Sequence, residues 1–250
     1  MFQNTLFSQI ISLIDHKEFN RCIVEYDGDK YVKDFSCYDH FLTMLFAQFG
    51  SRKSLRATIF SLNLMKHKLY HMGFRCKMIS RNNLSNANNS RDWRVFHDYA
   101  QSLIKRAQAQ HAGETFDLEV ANNIYAFDST IIDLCLSVFE WANFRSTKAG
   151  IKLHTLLNVK TNIPEFIDIT DAIKSDVKKL DDLTFEMGAI YVIDRAYLDF
   201  SRLWRMKIEG AFFIIRQKTN TSLRRVYSRS IDKITGLQCD QTVMLCSKKV

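Results

Sequence analysis

The sequence predicts an α/β protein in which an all-helical part precedes a mixed sheet with flanking helices. Apolar residues recur at helical spacing through residues 4–110, as at Leu6, Ile10 and Ile14. From Tyr125 onward, short β-rich runs are separated by turn residues. The chain has 250 residues, of which 46% are hydrophobic, so it can bury a core and is neither disordered nor collagen-like.

The first part divides into several predicted helices. Apolar stripes mark one helix near the amino terminus and a second over residues 41–49, ended by Gly50. Ser51 or Ser54 can cap a third helix that begins at Leu55. A polar stretch over residues 80–89 then leads into a longer helix containing Trp93 and Leu103. This stretch fits a helix-turn-helix reader or a plain helical hairpin, and the pattern does not separate the two.

The second part reads as alternating strands and helices. The predicted strands are Ile124–Leu136, Gly150–Val159, Glu165–Ile169, Ala189–Asp194 and Gly210–Gln217. Helices are predicted at Asp171–Met187 and Phe200–Ile208, so right-handed crossovers should join the later strands. Further strands are expected from about residue 222, around a Thr235-Gly236 turn. We therefore expect two domains, 1–111 and 112–250, joined near residue 112 without a flexible linker.

Several classes of protein are excluded by simple patterns. No apolar run approaches the roughly 18 residues of a membrane span. The amino terminus lacks a basic stretch and a small-residue cleavage site, so we expect a cytoplasmic protein. The six cysteines form no Cys-x-x-Cys pair and are expected to be reduced.

Charge is distributed unevenly along the chain. The net formal charge is +8, and residues 40–111 alone carry 12 basic and 2 acidic side chains. Aromatic residues such as Tyr70 and Trp93 lie between the basic ones. This pattern is typical of proteins that bind a phosphate backbone, although a solvated basic helix surface has the same composition.

Two apolar strands run directly into an aspartate. The sequences are Ile124-Tyr-Ala-Phe-Asp128 and Ile190-Tyr-Val-Ile-Asp194. If the strands are neighbours, both carboxylates meet at one point and can share Mg²⁺, which prefers oxygen ligands. Taken singly, Asp128 is better explained as a turn residue and Asp194 as the cap of the following helix, and only the repeated pattern favours a shared metal site.

Three basic residues are weaker candidates near these carboxylates. Lys152 and His154 share one face of a strand and could point toward a metal ion or phosphates, although a histidine at a sheet edge is more often structural. Arg195 could bind phosphate in a bidentate manner or could only pair with Asp199. The sequence contains no glycine-rich phosphate loop and no His-Glu-x-x-His motif.

Taken together, these motifs resemble those of DDE-type bacterial insertion-sequence transposases. The resemblance is carried by Ala126-Phe-Asp-Ser-Thr130, Gly150-Ile-Lys-Leu-His154 and Asp194-Arg-Ala-Tyr-Leu-Asp199, in that order and at that spacing. The chain is most similar to the group whose third motif has Tyr, Arg, Glu and Lys on a late helix. The basic stretch from His40 to Arg94 is similar to the DNA-binding region of the same proteins.

The resemblance implies a fold, a reaction and a set of site residues. The carboxyl-terminal part would be a ribonuclease-H-like sheet, with Asp128 and Asp194 as the first two catalytic, metal-binding aspartates. The cofactor would be Mg²⁺, or Mn²⁺ in its place, and the partner double-stranded DNA at element ends and targets. A homodimer on DNA and a nucleoid location in the bacterial cytoplasm would follow. The expected DNA contacts are Arg81, Arg91, Arg94, Lys152 and Arg195.

One family feature is missing from the sequence. Glu209 is the only glutamate after Asp194, and it lacks the neighbours of the third family motif. Loss of a supporting ligand costs roughly 10- to 100-fold in metal affinity or activity, so we expect a truncated transposase with impaired strand transfer. The alternatives are a non-catalytic DNA-binding fragment that regulates transposition and a host nuclease of the same fold. The sequence is thus compatible with an active enzyme and with an inactive one.

Overall fold

Helices form the first part of the chain and a mixed sheet organises the second. The computed structural model describes residues 5–52, 54–111, 120–134, 143–145, 148–173, 176–219 and 221–246. The chain separates into two compact units, Met1–Ala109 and Gln110–Val250. None of the helices in the described ranges is long and apolar enough to cross a membrane.

The described residues of the first unit form α-helices and short 3₁₀ turns. The α-helices are α1 (Leu6–Ile11), α2 (His16–Glu25), α3 (Cys37–Phe49), α4 (Leu55–Leu64), α5 (Arg81–Ser90) and α6 (Arg94–His111). Two 3₁₀ turns, Lys66–Lys68 and Tyr70–Met72, lie between α4 and α5. The polar stretch forms α5, and a break at residues 91–93 separates it from the longer helix α6.

Side-chain caps determine where these helices begin. Ser36 and Asp39 form a reciprocal capping box at the start of α3. Ser54, the second of the two serines considered, accepts a hydrogen bond from the backbone N–H of Ala57 and begins α4. Ser80 caps α5 in the same way. The break before α6 follows from Arg91, whose backbone is extended, and from Asp92, which accepts from the N–H of Arg94.

Aromatic rings fill the core of the first unit. Phe19 is 1% exposed and packs edge-on against Tyr99 and Tyr38. The ring of Phe41 also lies against Phe19. Leu84 of α5 belongs to the same buried cluster, so α5 is anchored to the unit by its inner face.

The second unit is built on a mixed sheet. Its strands are β1 (Ile124–Leu134), β2 (Asn143–Arg145), β3 (Lys148–Asn158), β4 (Ile163–Asp171), β5 (Ile190–Ile193) and β6 (Phe212–Ile215). From one edge to the other, the main strands run in the order β4, β3, β1, β5, β6, and the short β2 pairs with one end of β3. β3 is antiparallel to β1 and β4, whereas β5 and β6 run parallel to β1.

Alternation along the strands gives the sheet one buried face near its centre. Phe127 and Ile193 are 1% and 4% exposed and pack with Leu203 of α7 (Phe200–Ile208). The next residues, Asp128 and Asp194, come one step further along each strand, where the side-chain direction alternates to the other face. This alternation separates a hydrophobic core from the carboxylate positions.

The segment expected to form a helix at Asp171–Met187 is different in the structure. Asp171 ends β4, and the only helical part described there is a 3₁₀ helix, Asp176–Asp182. Leu180 in this 3₁₀ helix and Leu183, the residue after its end, are both buried. Lys179 ties this turn to β4 through Asp168 at 2.5 Å.

The last described strands form a separate hairpin. β7 (Leu223–Arg229) pairs antiparallel with β8 (Asp240–Leu245) in a two-stranded sheet. A 3₁₀ turn, Lys233–Thr235, and Gly236, with φ of 77°, lie in the connection between them. Glycine suits this left-handed conformation because it has no Cβ atom.

Candidate active site

Three neighbouring strands place Asp128, Asp194 and Arg216 in one row across the sheet. The parallel ladder of β1 and β5 ends at the pair Phe127 and Ile193, and the ladder of β5 and β6 ends at Ile193 and Ile215. The row consists of the three residues that directly follow these last pairs, namely Asp128, Asp194 and Arg216. Neighbouring strands lie about 4.8 Å apart, so the two aspartates are adjacent at this point of the sheet.

The position of this row follows from the topology. The chain leaves β1 for β3 and β4 on one side and returns to β5 and β6 on the other. In open α/β sheets, a crevice forms at the carboxyl ends of strands where the connections diverge in this way. Asp194 directly follows the carboxyl end of β5 and Asp128 is its neighbour on β1.

Arg216 pairs with Asp194. Its Nη2 atom lies 2.6 Å from Oδ1 of Asp194, and the Arg216 side chain is 75% exposed. This hydrogen bond is the main cause that lowers the pKa of Asp194, and nearby backbone N–H groups of Arg195 and Ala196 lower it further. Asp194 is therefore a carboxylate that already has a cation beside it.

Asp128 is exposed and makes a local hydrogen bond. The backbone N–H of Ser129 donates to Oδ1 of Asp128 at 2.8 Å. Such bonds are common in turns, but Asp128 lies within the continuous strand β1. The interpretation of Asp128 as a turn residue therefore explains this local hydrogen bond, but Asp128 lies in a strand and not in a turn.

The helix-cap explanation for Asp194 is wrong for α7. Asp199 is the cap of this helix and accepts from the backbone N–H of Arg202. Asp194 instead occupies the N-cap position of the 3₁₀ turn before α7, Arg195–Tyr197, without a side-chain capping hydrogen bond. Its carboxylate is directed to Arg216, which follows the next strand of the sheet.

Our expectation that Lys152 points toward the carboxylates needs correction. In the antiparallel register, Lys152 is paired with Ile131 and His154 with Ser129, one residue out of phase with Asp128. Both side chains therefore lie on the core face of β3, and both are buried. Lys152 forms an ion pair with Asp176 at 3.0 Å.

A polar network surrounds this buried lysine. Ser129 donates through its hydroxyl group to Oδ1 of Asp176 at 3.3 Å. Burial raises the pKa of the nearby Tyr197 to about 12. Because Ser129 adjoins Asp128, the network supports this carboxylate position from behind the sheet.

His154 has a structural setting. Its Nε2 atom lies 2.9 Å from the hydroxyl oxygen of Thr170, across the β3–β4 ladder. Burial lowers the pKa of His154, which favours the neutral ring. The histidine thus belongs to the strand pairing and not to the row of Asp128 and Asp194.

Arg195 lies at the edge of a shallow depression beside Asp194. The depression is lined by Asp194, Arg195, Ala196, Lys218 and Thr219. Arg195 is exposed, and Asp199, its expected partner, instead pairs with Arg202 at 3.3 Å. Two basic side chains therefore border the carboxylate on its open side.

The three arginines predicted as contacts in the first unit have different settings. Arg81 is exposed at the first position of α5. Arg94 forms an ion pair with Asp92 at 2.5 Å and lies over the ring of Tyr26. Arg91 is half-buried, and its guanidinium donates to the backbone carbonyls of Ser36 and Phe35. Arg91 thus holds the loop before α3, whereas Arg81 and Arg94 are exposed.

The described parts of the chain contain no group of three or more histidine, cysteine, aspartate or glutamate residues placed to hold a metal ion. Glu209 lies at the far end of α7, where its carboxylate accepts from the backbone N–H of Phe185 and pairs with Arg205. A nine-residue helix is about 13 Å long, which separates Glu209 from the row of aspartates.

Sequence reasoning missed Arg216 and Asp176. Arg216 follows the apolar run Phe-Phe-Ile-Ile in the same way that each aspartate follows its own strand. This repeated pattern could have identified Arg216, because neighbouring parallel strands bring the residues that follow them to the same edge of the sheet. Asp176 gave no such signal, since its contacts depend on how the segment after β4 folds back.

Comparison with known proteins agrees with this architecture. Residues 121–243 match the family model described as transposase DDE domain, and residues 2–75 match a domain of unknown function, DUF4372. The second unit therefore contains a DDE-type transposase domain, and the resemblance to DDE-type insertion-sequence transposases is confirmed. A domain of this family implies dependence on a divalent metal in general.

Two curated relatives are similar to part of the chain. "Putative transposase y4zB" of Sinorhizobium fredii is 32% identical over 125 residues, which cover 48% of this chain and 35% of that protein. "Probable transposase for insertion sequence element IS5377" of Geobacillus stearothermophilus is 28% identical over 124 residues, or 49% and 33% of the two chains. The matched region thus spans about a third of the length of these relatives.

Proposed function

We propose that this chain takes part in DNA transposition, binding the ends of an insertion sequence and contributing Asp128 and Asp194 to metal-dependent strand cleavage and transfer. The proposal rests on the adjacent positions of these two aspartates. They lie far apart in the sequence, and the parallel pairing of β1 with β5 brings them together. The sheet order, with an antiparallel part and a parallel part meeting at β1, supports a ribonuclease-H-like fold.

The donor chemistry of the row fits a divalent cation. Two carboxylates supply hard oxygen ligands of the kind that Mg²⁺ and Mn²⁺ prefer. The Arg216 guanidinium beside Asp194 indicates that this position accepts positive charge. We propose that Asp128 and Asp194 hold Mg²⁺, or Mn²⁺ in its place. When bound, such an ion activates an attacking oxygen and stabilises a leaving oxygen in phosphodiester chemistry.

The residues around the row would bind and orient DNA. Arg195 and Lys218 border the depression beside Asp194 and can contact phosphate groups of the strand that enters it. The network of Lys152, Asp176 and Ser129 would hold β1 and β3 in register behind Asp128. The excess of basic residues over residues 40–111 supplies attraction for duplex DNA.

The proposed site contains fewer acidic residues than the family resemblance implies. The resemblance implies a third acidic residue, and the row in the described structure has two. We therefore expect DNA binding and metal binding by this chain, with cleavage and strand transfer that are impaired. The competing function is that of a DNA-binding regulator of transposition, which would bind DNA independently of Asp128 and Asp194.

Two copies would act together, because both ends of an element must be cut in one complex. We propose a homodimer formed on DNA, in the bacterial cytoplasm at the nucleoid. Light scattering on the protein with and without duplex DNA measures the stoichiometry directly. A complex that stays at one copy per duplex containing two ends would contradict the dimer.

The experiment combines duplex binding with plasmid nicking. Fluorescence anisotropy of a labelled duplex over a salt series should give an affinity whose logarithm falls linearly with the logarithm of salt concentration. Supercoiled plasmid with Mn²⁺ should be nicked slowly by the wild type and not by Asp128→Asn or Asp194→Asn. Failure to bind duplex DNA at low salt would refute the function. Nicking that is unchanged in both variants would refute the role of the two aspartates.

A further inference from the structure

The outward face of α5 carries an unusual set of side chains. Five of the ten residues in this helix are asparagines, and none is acidic. Asparagine is among the weaker helix formers, since its side chain competes for backbone hydrogen bonds. The exposed asparagines of α5 therefore do not stabilise the helix, which indicates that this surface has another role.

Three of these asparagines form one stripe. Asn82, Asn86 and Asn89 occur at i, i+4 and i+7, so they lie on the same side of the helix, and all three are exposed. Leu84 and Ala87, on the other side, are buried in the core of the first unit. The stripe therefore points away from the unit that anchors the helix.

The carboxamides of the stripe are uncommitted within the described structure. No hydrogen bond joins the side chains of Asn82, Asn86 or Asn89 to another described residue. Other asparagines of the same unit behave differently: Asn63 donates to the carbonyl of Ile79, and the amide oxygen of Asn88 lies 2.6 Å from Nε2 of His40. Asn63 and Asn88 thus stabilise the unit through hydrogen bonds, whereas the three asparagines of the stripe lie together on its surface.

Basic charge near the stripe comes from α5 and from the chain around it. Arg81 occupies the first position of α5, and the helix has no acidic residue. A surface depression that includes Asn86 is lined by charges of both signs, the basic Lys30, Lys33 and Arg91 and the acidic Asp27, Asp34 and Asp92. The positive charge that attracts DNA is therefore supplied by Arg81 and by the excess of basic residues over residues 40–111.

We infer that α5 reads base edges in the major groove of duplex DNA, with Asn82, Asn86 and Asn89 contacting adenines. A carboxamide offers one donor and one acceptor that match N7 and the N6 amino group of adenine. A helix fits the major groove, which is about 12 Å wide. This inference rests on the proposed function, because it requires that the chain bind DNA, and it adds the surface and the base that give sequence preference.

The test begins with selection of bound duplexes from a randomised pool at physiological salt. The full wild-type chain should enrich a sequence that contains adenines at fixed positions. The triple variant N82A/N86A/N89A should enrich no sequence but should still bind random duplex with nearly the wild-type affinity and salt dependence. Alanine is the strongest helix former, so its melting temperature should be unchanged or higher. N20A, an exposed asparagine on α2, is the matched control.

A chemical substitution in the DNA identifies the groove. Replacing adenine by 7-deazaadenine in the selected duplex removes the N7 acceptor and keeps the base pair. We expect this change to weaken wild-type binding roughly 5- to 100-fold for each adenine contacted, and to have little effect on the triple variant. Replacement by 3-deazaadenine, which alters only the minor groove, should leave wild-type binding unchanged.

The outcomes separate this inference from the proposed function. If the wild type binds random duplex but enriches no sequence, or if the triple variant enriches the same sequence, reading by α5 is wrong and DNA binding stands. If 7-deazaadenine has no effect, major-groove contact is wrong. If RNA competes better than duplex DNA, the assigned partner is wrong. If no duplex binds at any salt concentration, the proposed function itself fails.

Discussion

The Nη2 atom of Arg216 lies 2.6 Å from Oδ1 of Asp194, and both residues directly follow the end of a parallel strand. A guanidinium group therefore lies beside a carboxylate that we propose as a metal ligand. Because a guanidinium and a metal ion compete for the same oxygen, Arg216 should weaken metal binding by the free protein. In a DNA complex, the exposed arginine can move to a phosphate group.

Substitution of Arg216 tests this competition. We expect Arg216→Gln to tighten Mn²⁺ binding in the absence of DNA by roughly two- to fivefold, the scale of an exposed ion pair. The change is measured by isothermal titration calorimetry. Arg225→Gln on β7 removes the same charge at an exposed position and should leave Mn²⁺ affinity unchanged. Weaker binding by Arg216→Gln would show that the arginine orients Asp194 for the metal instead of competing with it.

Lys152 should contribute to stability and not to DNA affinity. In the Lys152→Met variant, Asp176 loses its ion-pair partner in a site where the two side chains are 11% and 21% exposed. Removing one member of a fully buried pair costs about 3 to 5 kcal/mol, so we expect a loss of roughly 2 kcal/mol in the free energy of unfolding. Chemical denaturation measures it.

The controls for Lys152 separate packing from charge. Lys178→Met, an exposed lysine on the neighbouring 3₁₀ helix, should change stability little. The double variant Lys152→Met/Asp176→Leu should recover part of the loss, because no unpaired charge remains. The salt dependence of duplex binding should match the wild type. A slope reduced by about 1, without a change in stability, would mean that Lys152 contacts a phosphate after all.

His40 should make the first unit sensitive to acid. Burial lowers the pKa of His40 to about 4, from an ordinary value of 6.5. Below pH 6.5 the unfolded chain binds a proton that the folded protein does not, so stability falls as pH decreases toward 4. The loss from this residue approaches about 1.4 kcal/mol per pH unit within that window.

The measurement for His40 is hydrogen exchange of α3 between pH 7 and pH 4. The variant His40→Gln should lose less stability on acidification than the wild type, because it has no proton to bind at this position. His67→Gln, at an exposed histidine, should behave like the wild type. An equal acid response in His40→Gln and the wild type would mean that other groups cause it.

Local patterns were sufficient to predict much of this fold. The apolar runs before Asp128 and Asp194 identify β1 and β5, since a strand buried by a core must be apolar at alternate positions. Ser54 was among the expected caps of α4, because serine before an apolar helical stripe satisfies free backbone N–H groups. These features depend on residues close together in the sequence.

Features that depend on register could not be predicted in the same way. Lys152 lies on the core face because β3 pairs Thr155, and not a neighbouring residue, with Asp128. A shift of one residue would move Lys152 to the other face, and no local pattern specifies that choice. The ion pair of Arg216 likewise depends on the alignment of β6 with β5, two strands separated by α7.

The most direct test of the central claim is a Mn²⁺ titration of the 250-residue chain and its Asp128→Asn and Asp194→Asn variants. The structure places these residues side by side, so each substitution should abolish the same binding event seen in the wild type. Asp34→Asn, at an exposed aspartate of the first unit, should bind as the wild type does. Wild-type Mn²⁺ binding in both active-site variants would contradict a shared metal site, and loss in only one would mean that the two carboxylates do not act together.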